Sequence, residues 1–142
     1  MPGLELITDK LIKMKEYLSQ LKKTAPDTYQ DYLKDSVPKY AIERLIQLTV
    51  DLALDINNII LSYLKKPPAS DYFNSFIDLA ECGVLEEKFA LIIAPSTGLR
   101  NRLIHEYETI NDRIVFESIG ETIEQYTFYM REINKYINRF LS

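Results

Sequence analysis

The chain is poor in the residues that make disulfides, metal cages and hairpins. Its 142 residues include one cysteine, one histidine, four glycines and no tryptophan. A single cysteine, Cys82, cannot close an internal disulfide, which suits a reducing, cytoplasmic setting. One cysteine and one histidine are too few for a zinc site, so no metal and no cofactor are expected. No run of about 18 apolar residues occurs, so no membrane span is expected. The first residues, Met1-Pro2-Gly3-Leu4-Glu5, lack the basic flank and apolar segment of a signal peptide. A basic excess is missing too: 17 Lys and Arg face 21 Asp and Glu, giving a net charge of −4 and a pI of about 5.1. General nucleic-acid binders carry a positive excess, so any contact with RNA must come from a local basic cluster. No stretch alternates apolar and polar residues for long enough to be a strand, and the scattered glycines leave few hairpin turns.

What the chain does have is helical periodicity. Apolar residues make up 46% of it and charged residues 27%, ordinary values for one globular domain spanning 1–142. Leu4, Ile7, Leu11, Met14, Leu18 and Leu21 recur at steps of three and four, the stripe of a first helix ending near Lys23. Thr24-Ala25-Pro26-Asp27 breaks that pattern, and a short helical piece with Tyr29, Tyr32 and Leu33 follows. A second long helix begins near Pro38, with Ser36 as N-cap. It carries two stripes: Ala41, Leu45, Leu48, Leu52, Ile59 and Tyr63, and beside them Ile42, Ile46, Ala53, Ile56, Ile60 and Leu64. A helix so apolar is central in its bundle or lies in an interface. Pro67-Pro68 ends it. Ser70 or Asp71 caps the next helix, and Gly83 stops it. Another begins near Leu85 and meets Pro95, which kinks or restarts it before Leu99 to His105. The last helix has the seam Val115, Ile119, Ile123, Tyr126, Met130, Ile133, Ile137 and Phe140, with Gly120 marking close packing. The fold expected is all-α, an antiparallel bundle of four to six helices.

Chemistry concentrates in Gly98-Leu99-Arg100-Asn101-Arg102-Leu103-Ile104-His105-Glu106-Tyr107. A lone histidine is more often structural or merely exposed than catalytic, and the residues alone leave that reading open. Around His105, however, stand two arginines and an asparagine. Helical steps of about 100° put Asn101 and Arg102 on its face, with Leu99 and Leu103 turned away as anchors. Arg100 lies about 140° round the helix from His105. Imidazole titrates nearest neutral pH and can take or give a proton. Guanidinium is a permanent cation whose fork matches two phosphate oxygens. Together they suit cleavage of RNA, which brings its own 2′-hydroxyl nucleophile.

The stretch Arg100 to Tyr107 resembles the Arg-x-x-x-x-His-x-Tyr signature of the HepT-like HEPN ribonucleases. Tyr40 to Gln47, running on through Asp51 and Asp55, is similar to that family's second long helix, and Tyr72 to Leu79 with Gly83-Val84-Leu85 to its next helix and turn. The resemblance covers nearly the whole chain. It implies a HEPN-like homodimer whose two motif segments line one cleft, and a metal-independent RNA endonuclease acting as the toxin of a toxin–antitoxin pair. It implies as partner an MntA-like minimal nucleotidyltransferase antitoxin that adenylylates Tyr107. It assigns Arg100 to the substrate phosphate and His105 to acid–base catalysis, with Asn101 and Arg102 as further substrate-binding residues. A helix break at Thr109-Ile110-Asn111-Asp112 would free Tyr107 to turn into the cleft. The alternative is a non-catalytic helical subunit that holds nucleotide or substrate for a nucleotidyltransferase; a plain dimerisation bundle is a third.

Other features have milder readings. Glu43, Gln47, Asp51 and Asp55 recur every four residues, either as a solvated stripe or as a polar lining that pairs with Arg100 and Arg102 or orients His105. Most of the ten tyrosines fall on apolar seams, as core or interface residues. Tyr107 stands apart.

Overall fold

A computed structural model describes residues 2–141. They form α1 (Pro2–Thr24), α2 (Tyr29–Lys34), α3 (Ser36–Tyr63), α4 (Tyr72–Glu81), α5 (Glu87–Ile93), α6 (Ser96–His105) and α7 (Asp112–Tyr136), followed by a π-helical turn at Ile137–Leu141. No strand occurs among the described residues. The fold is the expected helical bundle, with α2 a six-residue piece beside its main helices.

Short polar side chains start these helices by accepting backbone N–H groups that have no partner within the helix. Thr28 accepts from Asp31 N, Asp71 from Asn74 N, and Asn111 from Arg113 N and Ile114 N. Asp35, not Ser36, caps α3 by accepting from Val37 N at 3.1 Å. A carboxylate one residue earlier reaches the same donors, so Ser36 becomes the first helical residue. At the end of α4, Gly83 takes a φ of 78°. Val84 N then donates to Leu79 O and Gly83 N to Ala80 O, the paired bonds of a Schellman cap. The same pairing closes α3, where Lys66 N reaches Leu61 O and Lys65 N reaches Ser62 O. There the left-handed position is held by Lys65, at φ 59°.

α3 runs through the middle and feeds both apolar clusters. The larger joins Ile7, Met14, Ile56, Ile60, Phe76, Leu79, Tyr126 and Ile133; the smaller joins Leu21, Tyr32, Ile42, Ile46, Leu99, Leu103, Val115 and Ile119. Each fully buried aliphatic side chain here contributes about 1.5–3 kcal/mol through apolar burial. Of the two stripes on α3, the one with Ile42, Ile46, Ala53, Ile56 and Ile60 is buried. The other is half-buried at Leu48, Leu52 and Ile59, and exposed at Ala41 and Tyr63. By length and composition α3 could cross a membrane, and 56% of its most apolar window is buried within the bundle.

The seam of α7 departs from the expected one. Thr122 and Tyr129 are buried where Ile123 and Met130 were expected, and both of those lie half-buried. Tyr129 is accommodated because its hydroxyl donates to Asn57 Oδ1 within the core. Phe140 is exposed and Leu141 buried in its place. The π-helical turn is wider than an α-turn, so the residue four after Ile137 is the one that returns to the core. Gly120 is exposed, with nothing within 4 Å of where a Cβ would stand. It lines an open groove of about 710 Å³ with Phe89, Ile92 and Phe128, so close packing is not its role.

Candidate functional site

α6 carries the motif because its two ends are fixed. At its start, Ser96 Oγ lies 2.7 Å from Ile93 O and 2.6 Å from the Tyr126 hydroxyl, and Thr97 Oγ1 donates to Ala94 O. The bond to Tyr126 ties the Pro95 junction to α7. Leu99 and Leu103 anchor the inner face of α6 in the smaller cluster. The helix ends at His105, with the Glu106 backbone N–H on Arg102 O.

That anchoring turns Asn101, Arg102 and His105 outward together, and all three are exposed. Arg100 turns the other way, toward α3. Its Nε donates to Asp51 Oδ1 at 2.6 Å, and the two side chains are 16% and 30% exposed. Its Nη1 donates to Asn101 Oδ1 at 3.1 Å. Its guanidinium carbon lies 4.9 Å from the centre of the Tyr72 ring, a cation–π arrangement. On the far side of Asp51, Gln47 Nε2 reaches Oδ2 at 3.4 Å, and Gln47 Oε1 accepts from Arg44 Nη1. A polar chain therefore runs along α3 and across to α6. Within one copy the hydrogen bonds of Arg100 go to Asp51 and Asn101. Tyr107 stands in the turn after α6, 62% exposed; the helix stops at His105, earlier than the break expected over 109–112, and Asp112 already opens α7.

The four-residue stripe on α3 divides by position. Asp51 holds Arg100, Asp55 pairs with Lys10 at 3.1 Å, and Gln47 bridges Arg44 and Asp51. Glu43 is buried, and that burial raises its carboxyl pKa, with the Asp112 carboxylate adding to the rise and Lys39 opposing it. Lys39 and Asp112 form a 2.9 Å ion pair that joins α3 to the first turn of α7, just past the segment carrying Tyr107. Among the described residues no three His, Cys, Asp or Glu side chains converge as a metal site.

Tyr72 is the site residue that sequence patterning misses. Tyrosines taken for core prove exposed at Tyr40, Tyr63 and Tyr72, while Tyr32, Tyr126 and Tyr129 are buried. The signal available was its position next to the capping Asp71, where the first residue of a helix projects from its end.

Residues 14–133 match the family model described as ribonuclease HepT-like. The chain belongs to the HepT-like ribonuclease family. It is 41% identical over 132 residues, 93% of its length and 90% of the relative's, to the tRNA nuclease HepT of Aphanizomenon flos-aquae (strain 2012/KM1/D3). Solved structures share the fold. A toxin–antitoxin crystal structure with AMP-PNP superimposes with a TM-score of 0.85 at 18% identity, over 92% of this chain and 98% of that one. The tri-AMPylated HEPN toxin of Shewanella oneidensis, in complex with MNT antitoxin, does so with a TM-score of 0.83 at 19% identity, over 91% and 96%. This HepT-like chain thus shares the helical frame of those structures.

Proposed function

We propose that the chain is an RNA endonuclease toxin whose cleavage centre is formed by Arg100 and His105, with Asn101 and Arg102 as substrate contacts. The reading is carried by α6, which exposes an imidazole, an amide and a guanidinium on one face and holds a second guanidinium aimed by Asp51. Family membership supports it, and the relative named as a tRNA nuclease makes tRNA the first substrate to try. Arg100 steadies the charge that grows on the phosphate. His105 takes the proton from the 2′-hydroxyl or gives one to the departing 5′-oxygen. The 2′-oxygen forms a bond to phosphorus as the 5′-oxygen leaves, so the product ends in a 2′,3′-cyclic phosphate, and no metal is needed. Arg100 is bonded toward α3 while His105 is exposed, which favours a homodimer with two α6 segments along one cleft as the assembly that unites them.

Regulation is proposed to fall on Tyr107. Its exposed phenol follows His105 by two residues, so an adenylyl group added there by a nucleotidyltransferase antitoxin would set a bulky anion where RNA phosphate must enter. The AMPylated toxin among the solved structures supports this partner class. The net charge of −4 favours a second reading, a non-catalytic subunit that holds nucleotide or substrate for the transferase. Expression of the chain alone separates the two. The nuclease reading expects growth arrest that His105→Ala or Arg100→Ala relieves. No arrest favours the binding subunit, and arrest that both variants cause equally contradicts the assignment of Arg100 and His105.

A further inference from the structure

We propose that the cavity between the end of α3 and the start of α4 seats an RNA base next to the cleaved phosphate, with Tyr72 as its stacking platform. The proposal rests on the nuclease reading and names where that site takes hold of its substrate. Arg100 covers one face of the Tyr72 ring at 4.9 Å, which makes the ring a neighbour of the cation assigned to phosphate. The residue is nevertheless 45% exposed. It also lines a cavity of about 370 Å³ with Asn58, Ser62, Lys66 and Ser70. That volume lies toward the small end of ligand pockets, which run from about 300 to 1,000 Å³.

The cavity has unused polar groups. Asn58 and Ser62 lie one turn apart on α3, and their side chains have no hydrogen-bond partner among the described residues. An amide and a hydroxyl of this kind suit the edge of a base. Lys66 adds a cation at the same wall, free of any ion pair among the described residues, for a flanking phosphate. A nucleotide in single-stranded RNA offers this combination: a flat base to stack, polar edges, and a phosphate on either side.

The platform is also rigidly placed. Ser75 Oγ donates to the Tyr72 carbonyl at 2.8 Å and accepts from Asn57 Nδ2 at 3.0 Å. Asn57 Oδ1 in turn accepts from the Tyr129 hydroxyl. Asn57, Ser75 and Tyr129 are all buried, so a core network fixes the backbone of the first turn of α4, from which the ring projects. A platform held in advance loses less freedom when the base arrives.

The test compares cleavage of RNA with cleavage of the same RNA carrying an abasic ribose, placed in turn on each side of the cut. The wild-type chain should lose about tenfold in kcat/KM on one abasic RNA, the scale of one stacking contact. Tyr72→Leu should lose as much on intact RNA and nothing further on that abasic RNA, while Tyr72→Phe, which keeps the ring, restores the rate. Ser62→Phe, filling the cavity from α3, should slow intact RNA and spare the abasic one. Equal losses by Tyr72→Leu on both substrates would mean that the ring only steadies Arg100, and would overturn the proposal. Wild-type cleavage indifferent to either abasic site overturns the base seat alone. No cleavage by the wild-type chain overturns the nuclease reading and the seat together.

Discussion

Arg100 is aimed from two sides, by a carboxylate on α3 and an aromatic ring at the start of α4. A partly solvated ion pair of this kind adds only about 1 kcal/mol or less to stability. Its value lies in direction, because a long flexible cation serves a phosphate well only when its fork is oriented. Asp51→Ala is therefore expected to leave the thermal unfolding midpoint within a few degrees and to lower cleavage by about tenfold to a hundredfold, in kcat more than in KM. Unchanged kcat in the folded variant contradicts this. The shared outward face of Asn101, Arg102 and His105 was legible because these residues are neighbours in sequence and a helix fixes their relative directions. The partners of Arg100 were harder to read. Asp51 stands 49 residues away, marked only as one of four polar positions on α3, and nothing local distinguishes it from Asp55, which meets Lys10 instead. Tyr72 carries no sequence mark beyond its place after a cap.

At the scale of elements, the helices were readable from period and punctuation, and the departures have local causes. Pro67-Pro68 announces the end of α3 but not that Lys65 takes the left-handed position, since the Schellman bonds fix that geometry whatever residue falls there. The seam of α7 slipped because a tyrosine with a buried acceptor can replace an aliphatic residue. The junction of α2, α3 and α7 holds a pH-sensitive feature. Glu43 is buried there, facing Lys39, Asp112 and Tyr32, and its pKa is raised above 4.5, chiefly by burial. A carboxyl whose folded pKa exceeds its unfolded one contributes stability that is complete below the unfolded value and is lost as pH climbs through the folded value. Glu43→Gln removes that loss. The variant is expected to gain on the wild type as pH rises from below the ordinary carboxylate range to neutrality, measured by thermal unfolding across pH. A constant difference between the two would mean that Glu43 does not titrate differently in the folded state.

At the scale of the whole molecule, the proposed activity asks an acidic chain to bind a polyanion. With a net charge of −4, long-range attraction does not favour RNA, so the proposed binding rests on a few placed cations: Arg100, Arg102 and Lys66. The bundle makes that placement possible. α3 joins both apolar clusters, α6 packs its inner face on one of them, and the motif is left on a rigid outer face. Sequence period showed the bundle and the motif helix. Which side chains meet across the bundle depends on packing between distant helices, which one-dimensional patterning does not encode. The most direct check is to incubate the purified protein with tRNA and determine the new ends by mass spectrometry. The expected result is 2′,3′-cyclic phosphate ends that disappear with His105→Ala. Cleavage that persists unchanged in that variant would contradict it.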